Sequence, residues 1–213
     1  MKVDRLILGA YETNCYILRE TAAARDCLIV DPGLGASQLI NFLKEHELNP
    51  VAVVLTHGHI DHIAGIAALR TEFADINVYV HKLDAKMLTE ADHNLSTLAG
   101  VSFSADPADL IVEGGDVIEQ VGIKLQVLHT PGHTPGGICL YSKEERIVFT
   151  DDTLFADSIG RTDFPNGSMA QLLNGIKEKL FTLPDETKVY PGHGPITTIA
   201  REKEHNQFFQ SCH

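Results

Sequence analysis

Residues 51–62, VAVVLTHGHIDH, decide how this chain reads. Val51 to Leu55 form a short, mostly β-branched apolar run, the pattern of a strand buried on both faces, and Thr56 ends it. His57, His59, Asp61 and His62 follow at once, four metal-competent side chains within six residues. A tight loop at a strand end can aim alternate side chains into one cavity. Neutral imidazole with carboxylate is the ligand mix that suits zinc, iron or manganese. A polar loop with surface histidines is the plain alternative, and it gives no reason for this density.

Outward from that stretch, strand and helix patterns alternate. Residues 37–47, SQLINFLKEHE, set Leu39, Ile40 and Leu43 on one helical face before Asn49-Pro50, and 63–73, IAGIAALRTEF, read as the helix after the histidine loop. Apolar runs at 3–8, 15–18 and 27–30 predict a strand meander, broken by Asp31-Pro32-Gly33. A strand is expected at 76–80 and a helix at 82–90, whereas 91–115, rich in Ser, Asp and Gly, reads as a partly ordered loop. The pattern then recurs, with strands at 123–128, 137–141, 146–149 and 188–190, a helix from Ser168 and another from about 199. Ser168 and Gln171 have capping-box spacing. Two similar halves of alternating elements predict a layered α/β sandwich of two mixed sheets covered by helices.

At 213 residues, with no Ser/Gly-rich linker or charge block, the chain is expected to form one domain over 1–213. Its net charge of −12 sets an unfavourable field for a polyanion, so nucleic acid is not an expected partner. No apolar stretch of ~18 residues suggests a membrane span, and MKVDRLILGAYETN lacks the apolar core of a secretory signal. Cys15, Cys27, Cys139 and Cys212 form no CxxC pair and read as structural thiols. A cytoplasmic protein is expected.

Three further positions lie where an expected strand runs into a Gly/Pro turn: His133 in TPGHTPGG, Asp152 in FTDDTLF and His193 in YPGHGP. Glycine lets backbone crowd a ligand cluster, and strand ends are where α/β folds gather their sites. Asp31 either braces the ligand loop, through an imidazole N–H, or caps its own turn. Arg161 either pairs with Asp163 or meets a substrate carboxylate by a bidentate contact. His46, His81, His93, His129, His205 and His213 receive no role, and the terminal Ser-Cys-His is expected to fray.

The motifs THGHIDH, TPGHTPGG, FTDDTLF, SIGRTDFPNGS and YPGHGP, in this order over residues 56–195 and preceded by VDPG at 30–33, resemble the metallo-β-lactamase-fold superfamily and, within it, the glyoxalase II-like (hydroxyacylglutathione hydrolase-like) branch. The resemblance implies a four-layer αββα sandwich with two divalent metal ions, zinc foremost and iron or manganese as alternatives. It assigns His57, His59 and His133 to the first ion and Asp61, His62 and His193 to the second, with Asp152 bridging. Such a centre makes a metal-bridging hydroxide available at neutral pH, with Asp61 placed to orient it or take its proton. A thiolate departs without strong acid assistance, so thioesters of low-molecular-weight thiols, such as S-lactoylglutathione, are the expected small-molecule substrates. Two positions depart from the family pattern, Asp151 and Asn166, where relatives often carry Gly. Both residue types tolerate the left-handed region and are expected to keep the same backbone. Asp151 also adds a carboxylate that competes with Asp152 as ligand, and Asp152, which aligns with the DTLF segment, is the expected bridging residue.

The chain ends about one helix after His193, so the helical glutathione-binding extension of two-domain relatives is not expected, and recognition falls to 91–115, 156–167 or another subunit. Monomer and homo-oligomer both stay open. Competing readings are a persulfide dioxygenase with one iron on His57, His133 and Asp152, a hydrolase of another ester or lactone, and a catalytically silent metal-binding protein.

Overall fold

The computed structural model describes residues 1–73 and 75–210. The expectations for Cys212, His213 and a frayed end lie outside the described residues. The chain divides into two compact units, Met1–Val112 with Ile118–Lys124, and Glu113–Val117 with Leu125 onward.

The first unit opens on the expected meander, β1 (Lys2–Leu8), β2 (Thr13–Arg19) and β3 (Asp26–Val30), paired antiparallel. It continues through α1 (Ala36–Glu45), β4 (Asn49–Val54), α2 (Ile60–Ile63), α3 (Ile66–Glu72), β5 (Asn77–His81) and β6 (Leu110–Val112). The sheet runs β1-β2-β3-β4-β5-β6, with β3 to β6 parallel. One face packs Ile17, Ile29, Val53 and Val78 against Leu39, Leu43, Ile66 and Leu69 of the helices. The alternate residues Tyr16, Leu18, Leu28, Val30, Ala52 and Val54 are buried as well. With both faces withdrawn from water, these strands read as continuous apolar runs.

Two helices differ from expectation. The 63–73 helix begins only at Ile66, as α3, with α2 a separate turn before it, because Gly65 is pressed against the 32–33 turn: its N–H donates to the Pro32 carbonyl at 2.6 Å, and a Cβ there would stand 2.5 Å from the same oxygen. The 82–90 helix contracts to a 3₁₀ turn, Ala85–Leu88. Asn94 Nδ2 donates to the Met87 carbonyl at 2.9 Å, diverting an acceptor that a longer helix would use. The 91–115 segment is ordered by the same Asn94, which also donates to the Phe103 carbonyl, and by Ser96, whose hydroxyl accepts from Phe103 N. It ends in β6, which was not anticipated.

The second sheet runs β14-β13-β10-β9-β8-β7. Its strands are β7 (Val117–Gln120), β8 (Ile123–His129), β9 (Ile138–Ser142), β10 (Ile147–Asp151), β13 (Lys188–Pro191) and β14 (Thr197–Thr198), and a small hairpin, β11 (Leu154–Phe155) with β12 (Ser158–Ile159), follows β10. The helices are α4 (Met169–Gly175), continued by a π turn over Ile176–Leu180, and α5 (Ile199–His205). Leu172, Ile176, Leu180 and Ile199 pack on Cys139, Tyr141, Val148 and Val189. Ser168 caps α4, its hydroxyl accepting from Gln171 N as the capping-box spacing predicts.

Cys15, Cys27 and Cys139 are free and buried, and burial pushes Cys27 and Cys139 up to about 12 and Cys15 well above the usual thiol range. They are structural thiols, as expected. Among the described residues no helix is long and apolar enough to cross a membrane.

Candidate metal centre

In the first unit the parallel pairing of Val30 with Val54 sets the 31–33 turn beside the loop that leaves β4. Asp31 (φ 52) is buried there. Its Oδ1 accepts from Thr56 N at 2.9 Å, its Oδ2 accepts from Thr56 Oγ1 at 2.6 Å, and His62 Nδ1 lies 3.3 Å from Oδ2. Asp31 therefore braces the ligand loop and faces an imidazole, the fuller of its two sequence readings. With Nδ1 turned toward this carboxylate, His62 presents Nε2 on its other side, as metal-binding histidines do.

The histidine loop is compact. His57 Nε2 lies 3.0 Å from His59 Nδ1, the His57 and His62 ring centroids are 4.2 Å apart, and His62 Nε2 is 3.2 Å from Asp61 Oδ2. Thr13 Oγ1, on β2, donates to the same Asp61 oxygen at 3.3 Å. Gly58 is required for this crowding, since a Cβ would stand 2.4 Å from Met87 Cβ, and its N–H donates to the buried Asp84 carboxylate at 3.3 Å. Ile60 N donates to the Asn94 carbonyl at 2.9 Å, so the ordered 91–103 segment holds the start of α2.

In the second unit His133 follows β8. Its Nδ1 donates to the Arg161 carbonyl at 2.7 Å. A carbonyl only accepts, so in the neutral ring Nε2 carries the lone pair, and it faces Asp152 Oδ2 at 3.5 Å. His193 Nε2 lies 3.6 Å from the other oxygen, Oδ1. One carboxylate thus offers each oxygen to a different imidazole. Gly160 closes over this residue so tightly that a Cβ would fall 1.7 Å from the Asp152 carbonyl. The loop before His133 is pinned from below, with Ser168 N donating to the Gly132 carbonyl at 2.8 Å and His129 Nε2 donating to the Pro135 carbonyl at 2.9 Å.

Asp151 (φ 45) and Asn166 (φ 67) both occupy the left-handed region, as expected of residues replacing glycine. Arg161 is held by Asp163 through Nε and an Nη, both at 2.8 Å, and lies over the Phe164 ring. The guanidinium fork and backbone hydrogen bonding bring the Asp163 carboxyl down to about 2. The bracing pair is the arrangement present.

The structure gathers His57, His59, Asp61 and His62 in the first unit and His133, Asp152 and His193 in the second. Imidazole and carboxylate in close approach make these loops suited to binding metal ions; the carboxylates among the ligand-like groups are Asp61 and the buried Asp151, whereas Asp152 is placed by its approach to His133 and His193. Sequence reasoning missed Thr13, Thr56, Asp84, Asn94 and His129. For His129 a signal was present, since it directly precedes the Thr-Pro-Gly turn of the loop it braces.

A sequence model of the metallo-beta-lactamase superfamily matches residues 8–193. The chain is 39% identical to a probable metallo-hydrolase, YqgX, of Bacillus subtilis, over 98% of this chain and 97% of that one. It is 33% identical to the hydroxyacylglutathione hydrolase GloC of Haemophilus influenzae, over 99% of both. Among solved structures, the BLEG-1 B3 metallo-beta-lactamase superposes with a TM-score of 0.93 at 38% identity, covering 99% of this chain and 100% of that one. A di-iron-bound form of TTHA1623 gives 0.84 at 36% identity, over 97% and 100%. The ETHE1 protein of Myxococcus xanthus gives 0.80 at 33%, over 97% and 84%.

Proposed function

Since the chain belongs to the metallo-β-lactamase superfamily and has its single-domain α/β fold, we propose that it is a metal-dependent hydrolase of thioesters formed by low-molecular-weight thiols. The observation that supports the reading is Asp152, whose two oxygens face His133 and His193, as a carboxylate shared between two ions would. The near full-length likeness to GloC supports the choice of substrate class.

In this proposal His57, His59 and His133 would hold one divalent ion and Asp61, His62 and His193 a second, following the superfamily motif residue by residue. Bound there, the ions would lower the pKa of a water toward ~7 and stabilise charge on the substrate carbonyl. Asp61 would orient a water there and accept its proton, and Thr13, which donates to Asp61 Oδ2, would fix which Asp61 oxygen is engaged. His133 is kept in one tautomer by the Arg161 carbonyl, and His62 is aligned by Asp31. The thiolate leaves without a general acid, so none is assigned. Arg161 is well exposed, and a substrate carboxylate binds it by displacing Asp163 from the guanidinium fork. The protonated thiols of Cys15, Cys27 and Cys139 fit a reducing cytoplasm.

Metal analysis combined with a substrate panel tests this. The expected result is two metal equivalents per chain and cleavage of S-lactoylglutathione-type thioesters. A second reading, a persulfide dioxygenase, draws on the likeness to ETHE1; one iron per chain with oxygen consumption on glutathione persulfide would establish it and remove the hydrolase. Turnover of a lactone or β-lactam in place of thioesters would keep the hydrolase and change its substrate.

A further inference from the structure

Helix α5 carries a carboxylate that the reaction does not use and that water does not reach. Glu202 is fully buried, and both of its oxygens are engaged. Oε1 accepts from Thr197 Oγ1 at 2.6 Å and from Arg201 Nη1 at 3.0 Å. Oε2 accepts from Asp157 N at 2.8 Å and from Asn206 Nδ2 at 2.9 Å. Four donors fill the capacity of an ionised carboxylate, and Arg201 supplies the countercharge.

These partners converge on one small element. Asp157 (φ 61) sits in the turn of the β11–β12 hairpin. Asn206 also donates to the Ser158 carbonyl at 2.9 Å, and Arg201 Nη2 donates to the Asp157 carboxylate at 2.8 Å. The hairpin begins two residues after Asp152 and ends just before Gly160 and Arg161. Gly160 lies against the Asp152 carbonyl, and the Arg161 carbonyl orients His133. A two-stranded hairpin of two-residue strands has little stability of its own, so its position depends on what holds its turn.

We propose that Glu202 is a positioning residue: its buried carboxylate locks the β11–β12 turn to α5 and thereby fixes Asp152 and the carbonyl that aligns His133. The lock itself stands on the hydrogen bonds above; its effect on metal binding rests on the assignment of Asp152 and His133 as ligands. Glu202→Gln keeps the shape but turns one acceptor oxygen into a donor, which must then face another donor.

Two readouts separate the two parts. In metal-free protein, amide exchange at Asp157 to Arg161 is expected to accelerate in E202Q while exchange in β9 and β10 is kept; unchanged exchange at 157–161 overturns the lock. In the full-length protein, zinc affinity measured by competition with a chromophoric chelator is expected to fall by about ten-fold or more for at least one equivalent, the usual effect of losing a residue that aligns a ligand. The comparison protein is L43A, a core truncation in the first unit chosen for a similar loss of Tm. Zinc affinity that stays at the wild-type value in E202Q, or that falls equally in L43A, overturns the positioning role. If the wild type binds neither zinc nor iron nor manganese, the ligand assignment and the positioning role fail together, and the exchange data alone decide the lock. Should E202Q not fold, N206A removes the donors to Ser158 and Glu202 and gives the same comparisons.

Discussion

Asp151 and Asp152 are neighbours with opposite demands on their backbones and side chains. Asp151 ends β10 in the left-handed region, where a non-glycine residue is mildly strained, whereas Asp152 presents its carboxylate to two histidines. Asp152→Ala is therefore expected to lose at least one metal equivalent. Asp151→Gly is expected to retain both and to melt at the same temperature or slightly higher, since relief of a left-handed residue is worth ~1 kcal/mol. Metal analysis and thermal melts of the two variants check this, and the reverse pattern would exchange their roles. At this scale the sequence displayed the candidate ligand residues, because imidazole and carboxylate are conspicuous by type. It concealed those that hold them. Thr56 and Asp84 act on partners 25 and 26 positions away, and nothing in the local pattern announces such a contact.

Among the elements, the clearest sequence reading was strand, histidine loop and helix over 51–73, because burial on both faces leaves an unbroken apolar run. The strands that escaped notice, β6, β7, β11, β12 and β14, are short, and β6 and β7 are edge strands with exposed Leu110, Ile111 and Val117, so no alternation marks them. Helix lengths were misjudged where tertiary contacts compete with the helical ladder, at Gly65 against Pro32 and at Met87 against Asn94. The β11–β12 hairpin depends on a glycine for a related reason. Gly160→Ala would drive a methyl group into the Asp152 carbonyl. The expected cost is about 2–4 kcal/mol in urea unfolding, together with weakened metal binding. A variant as stable as wild type would show that the hairpin can move away from Asp152.

For the molecule as a whole, a metal held by the proposed ligand groups, which come from well-separated stretches of the chain, would contribute to folding stability. Zinc at a hundred times its dissociation constant would add ~2.7 kcal/mol. Chelation is accordingly expected to lower Tm by roughly 5–10 °C for a chain of this size, reversed by added metal, as calorimetry with and without EDTA would show. The three described cysteines bear on a different property of the same molecule. Disulfide exchange requires an attacking thiolate. Cys15, Cys27 and Cys139 are protonated at neutral pH and shielded from solvent. If the proposed reaction releases a thiol, these three positions would give its disulfide form nothing to attach to, so turnover would not gradually convert them into mixed disulfides.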